Sequence, residues 1–200
     1  MSIRFVDELE DGFGWTESER MGRTSHALAV DGRVWLTDPI DGDGVEERIR
    51  TLGEPAGVIQ LLDRHKRDGA ALAERLGVPL HVVPSSLPET PFRFLPVRRG
   101  RWWKEVALWW PERRILVCAD ALGTLPFFRA GGEPAGLHPF LRLVPPRALR
   151  GLGVEHLLVG HGEGIHGADA AAAIDEALRT GRRRLPRWLA GLPRIVRTGY

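Results

Sequence analysis

The sequence predicts a single α/β domain in which two mixed β-sheets are covered by helices. Runs rich in β-branched and aromatic residues alternate with helix-like segments, and no internal repeat or linker-like run divides the chain. The chain has 200 residues, of which 43% are hydrophobic. This length and composition suffice for one buried core but give little support for a second independent domain. We therefore treat residues 1–200 as one domain, which ends in an arginine-rich segment, 179–200.

The elements follow from local composition. Strands are predicted at 3–6, 26–30, 34–37, 57–62, 80–83, 92–97, 106–110, 115–118 and 156–159, where apolar, β-branched and aromatic residues concentrate. Helices are predicted at 44–51, 68–76, 145–150 and 168–184. The last helix is rich in alanine, and Asp169 suits its first turn. We expect Pro186 to end or kink it.

Composition also bears on the compartment. No apolar run approaches the roughly 20 residues that a membrane span needs, and the first residues lack a signal-peptide pattern. We therefore expect a cytoplasmic protein without membrane contact. The single cysteine, Cys118, excludes an internal disulfide, and its apolar neighbours predict a buried strand position.

Charge is unevenly distributed, although the formal net charge is only +2. Residues 1–54 contain 13 acids and 6 bases, whereas residues 179–200 contain 7 arginines and no acid. The two ends either attract each other or leave a basic, Trp188-containing surface for anions or nucleic acid. Because arginine outnumbers lysine 26 to 2 over the whole chain, a coding bias explains much of this cluster. We do not expect nucleic acid as the main partner.

Four fragments, in order along the chain, stand out because each joins an apolar strand to a polar turn. They are 25–38, which ends at Asp38; 62–76, which includes Asp63-Arg64-His65-Lys66-Arg67-Asp68-Gly69; 114–122, which includes Asp120; and 157–162, which includes Gly160-His161-Gly162. Together they resemble the metallo-β-lactamase-fold hydrolases, from about Ser25 to about Gly167. The resemblance implies a four-layer αββα sandwich.

The same resemblance implies that the family's two-metal site cannot form here. The family turn reads Thr-His-x-His-x-Asp-His, and registered on Asp68 its three histidines fall on Arg64, Lys66 and Gly69. A guanidinium has no lone pair to offer a metal, and an ammonium must first lose a proton. A later Pro-Gly-His-Thr ligand segment is replaced by 97–103, which contains no histidine.

The residues that remain at the family's metal position are Asp68, Asp120 and His161. They could form a mononuclear site for Zn, Mn or Fe that hydrolyses an ester, thioester or phosphoester. The resemblance gives Asp38 a supporting role behind the ligands. It places His65 at an x position of the turn, pointing away from the metal, although His65 or His166 could supply a fourth ligand.

The alternative that we favour from the sequence is a non-catalytic protein with no cofactor. In that case Arg64 or Lys66 would neutralise Asp68 and Asp120, since buried carboxylates without a cation are costly. The same cations could instead bind a small anionic ligand. The glycine-rich loop 160–167 offers Glu163 and His166 as further ligand-binding groups.

Two tryptophan pairs, Trp102-Trp103 and Trp109-Trp110, flank a predicted strand. Because side chains alternate along a strand, one member of each pair should face the core and the other should be exposed. We expect the exposed members to support a homodimer interface.

Overall fold

Two β-sheets form the centre of the protein. In the computed structural model, residues 2–18 and 21–198 are described, except for the side chains at 194, 196 and 198. The elements are β1 (Ile3–Leu9), β2 (Gly12–Glu17), β3 (Thr24–Val30), β4 (Arg33–Thr37), α1 (Val45–Leu52), β5 (Glu54–Gln60), α2 (Gly69–Leu76), β6 (Leu80–Val82), β7 (Arg93–Gly100), β8 (Trp103–Trp110), β9 (Ile115–Cys118), β10 (Leu122–Gly123), β11 (Gly136–Leu137), β12 (His156–Val159), β13 (Ile165–His166) and α3 (Ala168–Thr198).

The first sheet has the strand order β1-β2-β3-β4-β5-β6, and the second has the order β13-β12-β9-β8-β7. The first four strands pair antiparallel, whereas β4, β5 and β6 run parallel. In the second sheet, β9 and β12 are parallel and the other pairs are antiparallel. Strands β10 and β11 form a separate two-stranded ladder.

Alternating side chains of the first sheet enter two different cores. On β4, Val34 and Leu36 pack in a cluster with Val45 and Ile49 of α1, whereas Trp35 belongs to a larger cluster with the second sheet. The larger cluster also contains Ile174 and other buried residues of α3. Because successive residues point to opposite faces of a sheet, these memberships define the layers α1/α2, first sheet, second sheet and α3. The predicted αββα sandwich is confirmed.

Several element predictions differ from the structure. Helix α3 continues through Pro186 and Pro193 to Thr198, so Pro186 does not end it. Both prolines are exposed, which leaves water to satisfy the carbonyl groups that they release, and the indole N–H of Trp188 anchors this part of the helix on Phe127 O at 2.6 Å. The predicted helix at 145–150 is only a 3₁₀ turn over Arg147–Leu149. Strand β2 was not predicted.

The tryptophan pairs behave differently from each other. Trp102 is 79% exposed and Trp103 is 7% exposed, as alternation predicts. Trp109 and Trp110 are both buried, which contradicts the prediction for that pair. The reason is that β8 lies inside the second sheet, between β7 and β9, where both faces are covered. Alternation exposes one face only where no layer covers it.

Two arginines in the described part of the arginine-rich segment have local partners. Arg184 forms ion pairs with Glu133 and with Glu176 of its own helix, and Arg182 donates to the carbonyl of Leu143. The acids near the start of the chain have other partners, such as Arg48 for Glu8. Arg194 was part of the predicted cluster, but its side chain lies outside the described residues. None of the described helices is both long enough and apolar enough to cross a membrane.

One arginine ties the two sheets together. The guanidinium of Arg67 donates to the carbonyl oxygens of Thr24 and Asp38 at 2.7 and 2.8 Å, and to that of Gly160 at 2.9 Å. Thr24 is the first residue of β3 and Asp38 follows β4, both in the first sheet. Gly160 follows β12 of the second sheet. The backbone of Thr24 also donates to Gly160 O at 2.9 Å. Arg67 therefore closes one edge of the sandwich.

We predict that Arg67→Met lowers the free energy of unfolding by about 3 kcal/mol or more, because three carbonyl groups lose a charged donor in a partly buried place. Lys66→Met is the matched control, since the neighbouring Lys66 is exposed and its loss should change stability by less than about 0.5 kcal/mol. Denaturant unfolding of both variants measures the difference. Equal stability of the two variants would contradict the role given to Arg67.

Candidate metal centre

The ends of four strands bring the polar residues of the site to one edge of the sandwich. Asp38 directly follows β4, and the turn 63–68 follows β5. Asp120 and His161 each lie two residues beyond parallel strands, β9 and β12. Because these strands end at the same edge, residues far apart in sequence converge there.

Three side chains form a group that could hold one metal ion. The Nε2 atoms of His65 and His161 lie 3.1 and 3.3 Å from Oδ1 of Asp120, and the three ligand atoms are within 4.8 Å of one another. A zinc ion bound at about 2.0–2.1 Å keeps tetrahedral ligand atoms about 3.3 Å apart. The two distances from Asp120 therefore match the spacing of ligand atoms around a single zinc ion, and the two Nε2 atoms lie within 4.8 Å of each other.

Both imidazole rings are oriented from behind by hydrogen bonds. Nδ1 of His65 lies 3.1 Å from Oδ2 of Asp38, and Nδ1 of His161 lies 2.9 Å from the carbonyl oxygen of Met21. A carbonyl oxygen and an ionised carboxylate only accept hydrogen bonds, so each Nδ1 must carry hydrogen. Each Nε2 then faces Asp120 with a lone pair unless it binds a second proton or a cation. The site therefore requires positive charge between the rings and the carboxylate.

The pKa values reflect this requirement. Burial and the nearby Arg67 oppose protonation of His65, but Asp38 and the hydrogen bonds with Asp120 and Asp38 outweigh them and raise the pKa of His65 to about 9. Burial alone would raise the pKa of Asp120. Its hydrogen bonds with His161 and His65 hold that pKa well below its ordinary value. Without a metal, the protonated ring of His65 lies between the carboxylates of Asp38 and Asp120.

The turn 63–68 presents the opposite set of side chains from the one that the sequence suggested. His65 and Arg67 point inward, whereas Arg64 and Lys66 are exposed. Neither Arg64 nor Lys66 forms an ion pair within the described chain. We expected Arg64 or Lys66 to neutralise Asp68 and Asp120. The structure instead places His65 against Asp120.

Asp68 also lies apart from the group. Its Oδ2 accepts the backbone N–H of Asp41 at 2.8 Å, and it precedes the first residue of α2. The structure thus brings together Asp120, His161 and His65, and does not add Asp68. The inward side chains of this turn are those of His65 and Arg67, which the registration on Asp68 had placed at its x positions. The contacts of His65 with two carboxylates and of Arg67 with three carbonyl groups hold them there.

Glu105 is a buried residue of the site that the sequence analysis missed. It is 0% exposed, and its Oε1 accepts the backbone N–H groups of Asp120 and Ala121 at 2.9 and 2.7 Å. Burial and the charge of Asp120 raise the pKa of Glu105 to about 8. Its side chain fixes the loop that carries Asp120. The available signal was a glutamate within the otherwise apolar run of β8.

A cavity of about 170 Å³ opens beside the metal group. Asp120 and His161 form one side, and Phe127, Phe128 and His138 form much of the rest. Burial lowers the pKa of His138 to about 4, so this ring is neutral at physiological pH. The sequence analysis gave His138 no role, because an isolated histidine before a proline carries no motif.

Glu163 and His166, expected to bind a ligand, lie away from this cavity. Glu163 forms an exposed ion pair with Arg4 at 2.7 Å and lines a larger, separate cavity of about 790 Å³. His166 contacts Oδ1 of Asp7 at 3.1 Å, and Oδ2 of Asp7 contacts His26 at 3.2 Å. The loop 160–167 therefore divides its polar groups between three places, and its only contribution to the metal group is His161.

By sequence, the chain matches no protein-family model and no curated protein. By structure, it is similar to the DIM-1 metallo-β-lactamase, with a TM-score of 0.64, 14% identity and coverage of 90% of this chain and 98% of that one. It is also similar to FIM-1 from Pseudomonas aeruginosa in a mono-zinc form (TM-score 0.60, 11% identity, 92% and 97% covered). For a metallo-β-lactamase from Erythrobacter litoralis, the TM-score is 0.57 at 12% identity, and the match covers 90% of this chain and 92% of that one. The chain has the metallo-β-lactamase fold.

We predict that the metal-free protein loses stability as pH rises from about 6.5 to about 9. The folded-state pKa of His65 is raised from 6.5 to about 9, so its contribution is fully present below 6.5 and is lost as pH passes through 9. The size is on the order of 3 kcal/mol. Denaturant unfolding of chelator-treated protein and of His65→Gln measures it.

Glu105 also contributes to that pH profile. Its pKa is raised from 4.5 to about 8, so it adds a decline of the same sign in both proteins. Because the charge of His65 lowers the pKa of Glu105, the difference between the two profiles reports His65 together with its coupling to Glu105. Parallel profiles for the wild-type protein and His65→Gln would show that no proton is bound tightly at this position.

Proposed function

We propose that the protein is a hydrolase that uses a single metal ion, held by His65, Asp120 and His161, to cleave an ester, thioester or phosphoester. The observation that carries this proposal is the convergence of two Nε2 atoms on one carboxylate oxygen, at 3.1 and 3.3 Å. Both rings have their Nδ1 atoms engaged behind the site, so both present the nitrogen that binds metals.

The donor set fits one metal ion and does not fit the family's pair. Two imidazoles and one carboxylate suit Zn, Mn or Fe and leave coordination positions open. Arg64 and Lys66, which the resemblance assigned to ligand positions, are exposed, and no second group of ligands occurs among the described residues. The structure of FIM-1 in a mono-zinc form supports the idea that this fold can hold a single zinc ion.

A divalent metal would act there as a Lewis acid toward water and toward the acyl or phosphoryl oxygen. In the hydrolysis, water adds to the acyl or phosphoryl centre, the bond to the leaving oxygen or sulfur breaks, and the leaving atom takes a proton. Glu105 holds the loop of Asp120 in place through two backbone N–H groups. Phe127 and Phe128 keep one wall of the cavity apolar, which limits access of bulk water.

His138 is suited to donate a hydrogen bond to the reacting group. Its Nδ1 accepts the backbone N–H of Phe140 at 3.4 Å, which leaves the proton of the neutral ring on Nε2. The low pKa, about 4, keeps the ring in this form. A neutral N–H beside the cavity can stabilise an oxygen that gains charge in the transition state.

The second candidate is a non-catalytic protein that binds a small anion without metal. The observation that favours it is the position of His65 between the carboxylates of Asp38 and Asp120, at 3.1 Å from each, where a protonated ring can take the place of a metal cation. These contacts raise the pKa of His65 to about 9. Arg67 adds a second positive charge close to these carboxylates. This candidate and the hydrolase make opposite predictions about metal content.

We predict that protein loaded with Zn, Mn or Fe and then dialysed retains about one metal ion per chain. His65→Ala, His161→Ala and Asp120→Ala should each weaken metal affinity at least tenfold, because three ligands are few enough that each is needed. Elemental analysis by mass spectrometry gives the stoichiometry, and competition with a chromophoric chelator gives the affinity.

Asp68→Asn is the matched control for the ligand assignment. Because Asp68 hydrogen-bonds Asp41 and lies outside the group, this variant should keep its metal. Loss of metal in Asp68→Asn with retention in His65→Ala would restore the family register and overturn the assignment. Absence of bound metal in every protein tested would favour the second candidate.

A further inference from the structure

Resting on the proposed function, we propose that the substrate combines a flat ring with an oxyanion group, and that Arg64 binds the oxyanion at the rim of the cavity. The ring would lie against the aromatic wall, with the scissile ester beside Asp120 and His161. The oxyanion is a carboxylate or a phosphate, since both offer two oxygens in one plane to a guanidinium.

Arg64 is a guanidinium without a carboxylate partner among the described residues. It lies over the ring of Trp103, with 4.7 Å between the guanidinium carbon and the ring centroid. Some exposed arginines, such as Arg75 with Asp41, are paired with acids, whereas others, such as Arg98 and Arg101, are not paired within the described chain. What distinguishes Arg64 is that the indole beneath it is buried and adjoins the cavity through His138. The indole fixes one face of the Arg64 guanidinium and leaves its N–H edge free to bind an oxyanion.

The platform of Arg64 adjoins the cavity beside the metal group through one ring, that of His138. The ring of Trp103 meets that of His138 edge to face, with centroids 4.7 Å apart, and His138 lines the cavity. A molecule that reaches from Asp120 past His138 therefore meets Arg64.

The wall between these two ends is made of rings. Phe128 stacks on His161 with centroids 5.5 Å apart at 30°, and Phe127 meets His138 at 5.5 Å. The cavity measures about 170 Å³. An apolar cavity of about 150 Å³ is known to accept a benzene ring. One aromatic ring therefore fits the cavity, and the geometry favours flat substrates over branched ones.

One buried carboxyl group holds both ends of this site. Oε2 of Glu105 accepts the indole N–H of Trp103 at 2.7 Å, and its Oε1 accepts the backbone N–H of Asp120 at 2.9 Å. Glu105 thereby fixes the platform of Arg64 relative to the metal group. Such fixed spacing between a cation and a reaction centre selects substrates by the position of their charge.

The test compares two aryl acetates that differ only in charge. The metal-loaded protein should hydrolyse 4-acetoxybenzoate with a kcat/KM at least tenfold higher than methyl 4-acetoxybenzoate, with most of the difference in KM. A third substrate, 4-acetoxyphenyl phosphate, distinguishes carboxylate from phosphate. Arg64→Met should abolish the preference for the anionic esters, and Arg64→Lys should restore part of it.

Arg101→Met is the matched control. Arg101 also lies over an indole, that of Trp102, at 4.9 Å, but this pair is on the exposed tip of the β7–β8 hairpin rather than beside the cavity. It should leave the preference unchanged. Equal rates for charged and uncharged esters, or a preference that survives Arg64→Met, would overturn the inference while leaving the hydrolase in place.

A binding experiment separates the two proposals. Benzoate and phenylphosphonate, which the protein cannot hydrolyse, should bind the wild-type protein in calorimetric titrations and bind Arg64→Met at least tenfold more weakly. Arg64-dependent binding without any ester hydrolysis would refute the hydrolase but keep the ligand class. If neither probe binds, or if both bind Arg64→Met as tightly as the wild-type protein, the inference is wrong.

Discussion

The guanidinium of Arg67 is the interaction on which the site depends. Its hydrogen bonds to Thr24 O, Asp38 O and Gly160 O join both sheets at the edge where the candidate ligands lie. Gly160 directly precedes His161, and Asp38 supports His65, so the same contact fixes the backbone on both sides of the metal group. Gly160 O also accepts the backbone N–H of Thr24, and Asp38 O also accepts the hydroxyl of Ser25, so Arg67 adds a charged donor to carbonyl groups that already hold the two sheets together.

The charges of the site form a balance that either a proton or a metal ion can complete. Asp38 and Asp120 contribute two carboxylates, and Arg67 with a protonated His65 contributes two cations. Because ligand nitrogens must be deprotonated to bind metal, metal and proton compete for His65, and metal affinity should fall as pH falls. The pKa of about 9 sets the strength of the proton as a competitor. The hydrolase and the metal-free candidate thus share the same arrangement of residues and differ in whether a metal ion or a proton occupies the site.

Much of the fold followed from the sequence, because its signals are repeated over many residues. The strands that end just before Asp38, Asp120 and His161 came from apolar runs followed by polar turns. The αββα sandwich, and the choice of these three residues for the site, came from the resemblance to the metallo-β-lactamase fold. The predictions that were wrong concern features that depend on single contacts or on one covering layer. Nothing in the turn 63–68 shows that Arg67 reaches three carbonyls, and that contact decides that His65 rather than Asp68 faces Asp120. Trp109 was expected to alternate with Trp110, but a second covering layer buries both.

The central claim is that His65, Asp120 and His161 hold one metal ion. Anomalous X-ray diffraction at the zinc absorption edge, from crystals grown with zinc, tests it most directly. The account predicts one strong peak per chain, about 2 Å from Nε2 of His65, Nε2 of His161 and a carboxylate oxygen of Asp120. A peak bound by Asp68 instead of His65, or no peak at this edge of the sandwich under saturating zinc, would contradict it.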